Sequence, residues 1–490
     1  MRTHEEYKES LWKMRPNIYK FGELIEDVTT HPATKRTVAG HAQIFASAQD
    51  EKYHDVFTTK SSLITPETEI SRYLSLIRSE ADMIANIKMK RLMFNLTGTC
   101  TGGRCVGWNA INAMWATTYD MDHDLGTDYH QRLKDWLINS QKTDITLAGA
   151  LTDPKGDRTL PPCQQPDPDM NLHIVKTRED GIVVRGAKVM ICGVAAANEI
   201  FILPGTGYKE EDKDYSISFV IPRDIDGLRI VETRHPSDLR EFEEGFDSPV
   251  TDGGITQAYL LFEDTFIPKD RVFLAGEFKY TLPAVLNFIM AYRSAIGGCV
   301  AGQGDVMCGS AALVARANGL SEKQFNDKFI QMYINNETTF GMGVAAAAMG
   351  KLHPSGIWQC DPLLANVNKV HVASLPYETK RIAQDISGGI AETGCMPSYK
   401  DITDDKHGYG KLLQKYLKAY SGAEARIRAA RLVEWLTLGA GVPGCMHGGG
   451  SPEGAKLIIR TRAGLDESIE HARRLAGIKE PLEAKKTQKK

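Results

Sequence analysis

Ile145-Thr-Leu-Ala-Gly-Ala-Leu-Thr-Asp-Pro-Lys-Gly-Asp-Arg158 divides the chain into two textures and decides its fold class. Before it, from residue 1 to about 142, apolar residues recur at helical spacing. Thr65-Pro66-Glu67 predicts the start of a long helix through Ile70, Tyr73, Leu74 and Ile77 to about Met93. Further helices are expected around 106–120 and 127–140. From residue 144 onward, Ile145–Leu151, His173–Thr177, Ile182–Met190, Ile200–Leu203, Ser216–Ile221, Leu228–Thr233 and Ala258–Phe262 are short runs rich in β-branched residues. Asp180-Gly181 predicts a hairpin turn, and the β region closes at Asp264-Thr-Phe-Ile-Pro268. Long helical patterns then return at Tyr280–Asn318, Glu322–Met349, Pro362–Ser387, Gly422–Gly439 and Pro452–Ala463. The class is α+β: an N-terminal helical domain over 1–142, a central β domain over 143–274, and a C-terminal helical bundle with a basic tail over 275–490.

Composition narrows the function classes. With 490 residues, 42% hydrophobic, the chain is long enough for two or three cores. Its 59 basic and 62 acidic residues, net −3, give no attraction to nucleic acid or anionic membrane. No uninterrupted apolar run reaches the roughly 18 residues that span a bilayer. The N-terminus lacks an apolar signal core, so no export is expected. Nine scattered cysteines predict a reduced, cytoplasmic chain rather than a disulfide framework. The end, Glu483-Ala-Lys-Lys-Thr-Gln-Lys-Lys490, reads as a solvated basic tail.

Four stretches carry chemistry. Thr152, Pro154, Lys155, Asp157 and Arg158 form a tight charged turn after a strand, suited to a polar heterocycle or phosphate and equally to a solvated surface. Cys100-Thr-Gly-Gly-Arg-Cys105 bends two sulfurs toward one centre, with Cys299 on a remote helix as a third; zinc is disfavoured because no further Cys or His pair completes a tetrahedral set. Arg104 and Trp108 offer a cation and an aromatic wall, or core packing. His447-Gly-Gly-Gly-Ser451-Pro452 opens a capped helix and is a preformed anion site, whereas Gly388-Gly389 serves equally as a helix stop. Cys163, Cys308, Cys360, Cys395 and Cys445 read as small buried hydrophobes.

Read in order, Arg104-Cys-Val-Gly107, the Gly149–Arg158 stretch, Arg178-Glu-Asp-Gly-Ile-Val-Val-Arg-Gly-Ala-Lys188, Asp212-Lys-Asp-Tyr215, Phe266-Ile-Pro268, Leu363-Leu-Ala-Asn-Val367 and Met446-His-Gly-Gly-Gly-Ser-Pro452 resemble the family of 4-hydroxybutyryl-CoA dehydratase and the 4-hydroxyphenylacetate 3-hydroxylase oxygenase component. The likeness is greater to the dehydratase branch. It implies an acyl-CoA-dehydrogenase-like fold, FAD, and a homotetramer. On this resemblance the Thr152–Arg158 turn, Lys188, Cys192, Gly388, Gly389, His447, Gly448 and Gly449 serve the flavin or its phosphates. The dehydratases also carry a 4Fe-4S cluster on Cys-x3-Cys and His-x6-Cys.

This chain departs from that pattern. Its first pair is Cys100-x4-Cys105, and Tyr292 stands in the histidine position. Ile296, Val300, Gln257, Gly444 and Cys192 replace a tyrosine, a lysine, two glutamates and a threonine. These losses count against an intact cluster and argue for changed chemistry. The first expectation is therefore a flavoenzyme acting on a small acyl-CoA by dehydration, isomerisation or desaturation, with Tyr292, Arg104 and Trp108 as candidate catalytic residues. The second is an oxygenase that takes reduced flavin from a separate reductase to hydroxylate a phenol, although Gly149 stands where that branch has a histidine. The third is a flavin-binding protein without turnover.

Overall fold

The computed structural model describes residues 1–100, 102–234, 243–251, 253–438 and 447–479; the expectations for the 483–490 tail, Gly444 and Cys445 lie outside these residues. Among them, helices come first, then two sheets, then a helical bundle, as expected of the class.

The larger sheet has six strands in the order Glu23–Ile25, Ile18–Lys20, Leu228–Glu232, Gln257–Pro268, Gly181–Cys192, His173–Arg178. Only the Ile18–Lys20 pairing with Leu228–Glu232 is parallel. The predicted hairpin is present, with Arg178 opposite Gly181. The smaller sheet runs Val272–Ala275, Ile217–Pro222, Glu199–Ile202, Leu147–Ala150. Leu147–Ala150, the opening strand of the decisive stretch, is buried throughout and pairs in parallel with its neighbour. Phe201, Phe219, Ile230, Leu260 and Phe262 join both sheets to one apolar core. Two of the six strands come from the helical first region; at three residues each they are too short to produce a period.

Two expected helices differ. The long helix does not begin at Thr65 but at Ser79, whose Oγ accepts the Asp82 N–H at 3.1 Å; it spans Glu80–Thr97 and stops at Gly98 with φ +63°. Upstream, Glu69–Ser71 pairs with Thr58–Lys60, and Arg72 donates to the carbonyls of Asp55, Val56 and Thr58. These tertiary bonds hold extended a segment whose spacing is helical. The expected Pro362–Ser387 helix is two, Pro362–Val372 and Leu375–Ser387, because Pro376 is accommodated only in a first turn.

Helix Thr281–Ala317 is the axis of the bundle. One 18-residue window of it reaches mean hydropathy 1.4, enough by length and composition for a membrane span, a point that counting uninterrupted apolar runs missed. In the fold it packs between Glu80–Thr97 and Asn326–Ala348, and most of its small residues are buried. A Cβ on Gly298 would lie 2.1 Å from the Ile87 carbonyl oxygen, and one on Gly302 2.4 Å from that of Arg91, so glycine lets the two backbones meet. Arg91 clamps this crossing with two 2.8 Å bonds to Asp305 and one of 2.6 Å to Glu337. Helix Gly102–Leu125 meets strand Leu147–Ala150 just as closely: a Cβ on Gly107 would sit 2.4 Å from the Leu147 oxygen.

Two outcomes follow for stability. Gly107→Ala should destabilise by about 3 kcal/mol or more in urea unfolding, whereas Gly309→Ala, in the same axial helix as Gly298 but with open space beside it, should gain roughly 0.5–1 kcal/mol. His41, buried with Nδ1 bonded to the Thr37 oxygen at 2.8 Å, is pushed down to about 4 by burial and the Arg104 charge. The unfolded chain then takes up a proton that the folded one refuses. Stability should therefore fall as pH drops from 6.5 toward 4, and His41→Leu should lose less over that interval, by up to roughly 3 kcal/mol.

Candidate functional site

Three helical segments bring Cys100, Cys105 and Cys299 to one cavity, lined also by Lys90, Phe94, Tyr292, Ile296, Val300, Gln303 and Gly448. Lys90 and Phe94 lie one turn apart on Glu80–Thr97. Cys100 follows that helix just beyond its Gly98 stop, and Cys105 is on Gly102–Leu125. Tyr292, Ile296, Cys299, Val300 and Gln303 form one stripe of Thr281–Ala317.

Among the described residues, no carboxylate lines this cavity. Its cation is Lys90, 2% exposed, whose Nζ finds no hydrogen-bond acceptor of ordinary geometry and lies 5.6 Å from the centre of the Tyr292 ring. Burial works against the ammonium, yet attraction to Cys105, Cys299 and Cys100 outweighs it and raises its pKa. Cys105 acts on Lys90 both by charge and by a hydrogen-bonding contact, and Cys299 and Cys100 act by charge. Burial, with the neighbouring Cys299 and Cys105, pushes the Cys100 thiol well up. Burial and the same sulfurs push Tyr292 far above its ordinary value, so it is a neutral phenol that can donate a hydrogen bond. The ring is stacked against Phe288, centroids 5.4 Å apart and planes nearly parallel. Cys192 adjoins the group; its sulfur accepts from Gln257 at 3.5 Å, and burial raises its pKa.

The glycine turn closes one side. A Cβ on Gly449 would fall 2.7 Å from the Tyr292 ring, so only glycine fits there. Arg293 Nε donates to the Gly449 carbonyl at 3.0 Å, and the fully buried Lys369 donates to that of Gly448. Ser451 and Pro452 cap the following helix as expected, with Gly454 N–H to Ser451 Oγ at 3.1 Å; His447 is exposed at the turn's outer edge. Burial lowers Arg293 to about 10, and Asn366 accepts from its guanidinium. Lys90, Arg293 and Lys369 were absent from the residues expected in the site. Their signal was a cation on an apolar helix face, as with Lys90 among Met83, Ile87 and Phe94.

The other expected residues are placed elsewhere. Lys188 spends all three donors on Asp153 Oδ1 at 2.6 Å and the carbonyls of Leu151 and Leu203 at 3.0 and 2.9 Å, so it braces the base of the Thr152–Arg158 turn and has no donor left for a ligand. At the turn's tip Lys155, Gly156, Asp157 and Arg158 are exposed, while Thr152 and Pro154 are half-buried. Arg104 and Trp108 are not at the thiol cavity. Arg104 is sandwiched by Phe45 and Tyr73 at 4.5 and 5.1 Å and donates to Ser71, and the Trp108 indole donates to the Ser75 carbonyl at 2.7 Å; this is core packing. Gly388, φ +74°, ends Leu375–Ser387, and with Gly389 faces open space. Cys308 and Cys360 are buried as expected, but Cys395 is exposed and Cys163 half-exposed.

The donor set bears on metal chemistry. Among the described residues, no three His, Cys, Asp or Glu side chains converge on a single ion. Three thiols and the Lys90 ammonium line one cavity, and thiolates are the usual ligands at the four positions of an iron–sulfur cluster. The fourth position is a phenol.

Family models for the 4-hydroxyphenylacetate 3-hydroxylase N terminal and C terminal regions match residues 3–274 and 284–477. The 4-hydroxybutyryl-CoA dehydratase/vinylacetyl-CoA-Delta-isomerase of Clostridium aminobutyricum is 40% identical, covering 97% of this chain and 99% of that protein. The oxygenase component of 4-hydroxyphenylacetate 3-monooxygenase from Thermus thermophilus is 26% identical over 89% of this chain and 88% of its own. Among solved structures, an oxygen-tolerant archaeal 4-hydroxybutyryl-CoA dehydratase from N. maritimus superposes with TM-score 0.94 at 35% identity, covering all of this chain and 97% of that one. An oxygenase component complexed with FAD shares the fold, with TM-score 0.84 at 22% identity over 97% and 99%. The chain belongs to the 4-hydroxyphenylacetate 3-hydroxylase family, and is more similar to its dehydratase relatives than to its oxygenases.

Proposed function

We propose that the protein is an FAD-dependent enzyme acting at the α and β carbons of a small acyl-CoA, by dehydration, double-bond isomerisation or desaturation. The observation that carries this reading is the convergence of Cys100, Cys105, Cys299 and Tyr292 on one cavity in a chain 40% identical to a 4-hydroxybutyryl-CoA dehydratase. Flavin bound at the glycine turn and Cys192 would supply an electron or hydride acceptor, and a cluster on the three thiolates a Lewis acid.

The chain's own residues do the rest. Tyr292, kept neutral by burial, presents an O–H in the position of the missing imidazole and serves as a proton relay or hydrogen-bond donor. Phe288 and Gly449 fix its ring, so the donor is placed without a search over rotamers. Lys369 and Arg293 hold the turn by the carbonyls of Gly448 and Gly449. The exposed Lys155 and Arg158 are suited to phosphates. We read the protein as a cytoplasmic homotetramer; exposed Ile330, Tyr333 and Ile334 on Asn326–Ala348 offer an apolar face for assembly.

The phenol-hydroxylating reading, with its separate reductase, has less support. A Cβ at Gly149, where that branch has a histidine, would lie 2.6 Å from Val106 Cγ1 and 2.8 Å from the Val106 carbonyl carbon. Arg104 and Trp108 are packed away.

FAD-loaded protein, kept anaerobic, should show a changed flavin spectrum and product formation with small acyl-CoAs. Hydroxylation of phenols by the reduced flavoprotein in oxygen, with acyl-CoAs inert, would instead establish the oxygenase reading; flavin binding with neither would establish loss of turnover. Tyr292→Phe should lower kcat about 100-fold or more with flavin content unchanged; unchanged kcat would remove Tyr292 from the chemistry.

A further inference from the structure

Among the described helices of eight residues or more, Leu465–Leu475 alone buries no residue. It follows Gly464, φ +59°, after helix Pro452–Arg462, which packs on Pro362–Val372. At 11 residues it is too short to stay helical by itself in water, where even about 12–15 are marginal. Its sequence is nonetheless strongly amphipathic. Leu465, Ile469, Ala472 and the cap residue Ala476 follow at helical spacing and form one stripe. Leu465 and Ile469 are 69 and 49% exposed, and Leu475 beside the stripe is 81% exposed. A short helix with a bare apolar stripe is stabilised by a surface that covers it.

The helix carries the pattern of its own complement. Its first half holds the large Leu465 and Ile469 with Asp466, Glu467 and Glu470; its second holds the small Ala472 and Ala476 with Arg473 and Arg474. A parallel copy would set large on large and like charge on like. An antiparallel copy about a two-fold axis sets Leu465 against Ala476 and Ile469 against Ala472, each contact made twice. The same register brings Glu467 to Arg474. Glu470 and Arg473 bond to each other within the chain, and Glu467 has His471 4.0 Å away. One register thus satisfies both size and sign. We propose that Leu465–Leu475 pairs antiparallel with the same helix of a second copy of this chain, Leu465 facing Ala476. The mixed charges give no basic face for an anionic membrane. Two helices of this length cover less than the roughly 1,200 Å² of a specific interface. The pairing therefore rests on the assembly reading above, in which the Ile330, Tyr333 and Ile334 face adds further area.

The test is sedimentation of the full chain, then oxidation with copper–phenanthroline, read as covalent dimer on non-reducing gels with wild type as background. Within one chain positions 465 and 476 lie roughly 16 Å apart along the helix, beyond the reach of a disulfide. L465C/A476C can therefore close that bond only between copies, and should give about fivefold more covalent dimer, or better, than L465C or A476C alone. In that background E467R or R474E should each lower the yield about threefold, and E467R/R474E should return it to about its starting level. None of the four side chains is buried, so thermal melts should match wild type. Equal yields from the double and single cysteine variants overturn the pairing, as does a lower yield with both charges reversed than with either alone. A wild-type chain that sediments as a monomer refutes the assembly reading and the pairing together, before any variant is made. An assembled wild type whose L465C/A476C variant does not cross-link overturns the pairing alone.

Discussion

The site depends on how closely helix Glu80–Thr97 crosses helix Thr281–Ala317. Gly298 and Gly302 remove the side chains that would hold the backbones apart, and the Arg91 clamp to Asp305 and Glu337 sets the register. That register is what puts Lys90 opposite Tyr292 and Cys299. Were the helices a side chain further apart, the lysine would meet solvent, and neither its burial nor its hold on the sulfurs would persist. The packing of small residues and the electrostatics of the cavity are one constraint seen at two levels.

The same crossing adjoins the rigid wall of the site. Tyr292 is pinned between Phe288 and a glycine that tolerates no Cβ, while Lys369 and Arg293 tie the turn to the bundle. By contrast the tip of the Thr152–Arg158 turn, the Gly388-Gly389 pair and His447 are exposed. Preorganisation is thus concentrated where bonds would change.

Much of the fold was legible because periods of two and of 3.6 residues are properties of local sequence. The seven expected strands and the axial helix are present. What was not legible depended on distant partners. The segment before Ser79 has helical spacing, yet Arg72 reaches three carbonyls of another segment and draws it out straight. Within the site, the three cysteines and Tyr292 could be grouped through resemblance, but Lys90 could not, because one lysine in an amphipathic pattern gives no sign of which way the partner helix faces. Arg104 and Trp108 illustrate the converse: residues of the right chemistry beside a cysteine, turned by the helix into the core. Lys188 similarly pairs with the turn it was expected to help, but as its brace.

The mutual fit of Gly107 and Gly149 has a historical consequence. A Cβ on Gly107 would meet Leu147, and one on Gly149 would meet Val106 and the Gly107 nitrogen, so neither position has room for a side chain. A side chain at 149 is therefore inaccessible by a single substitution: it would meet backbone atoms of Val106 and Gly107, so the helix must first move. A lineage with a larger residue here would be reached only through intermediates in which one of the two elements is mispacked. Divergence between branches of such a family would then be gated by epistasis in the scaffold beneath the site, before any selection on the reaction itself.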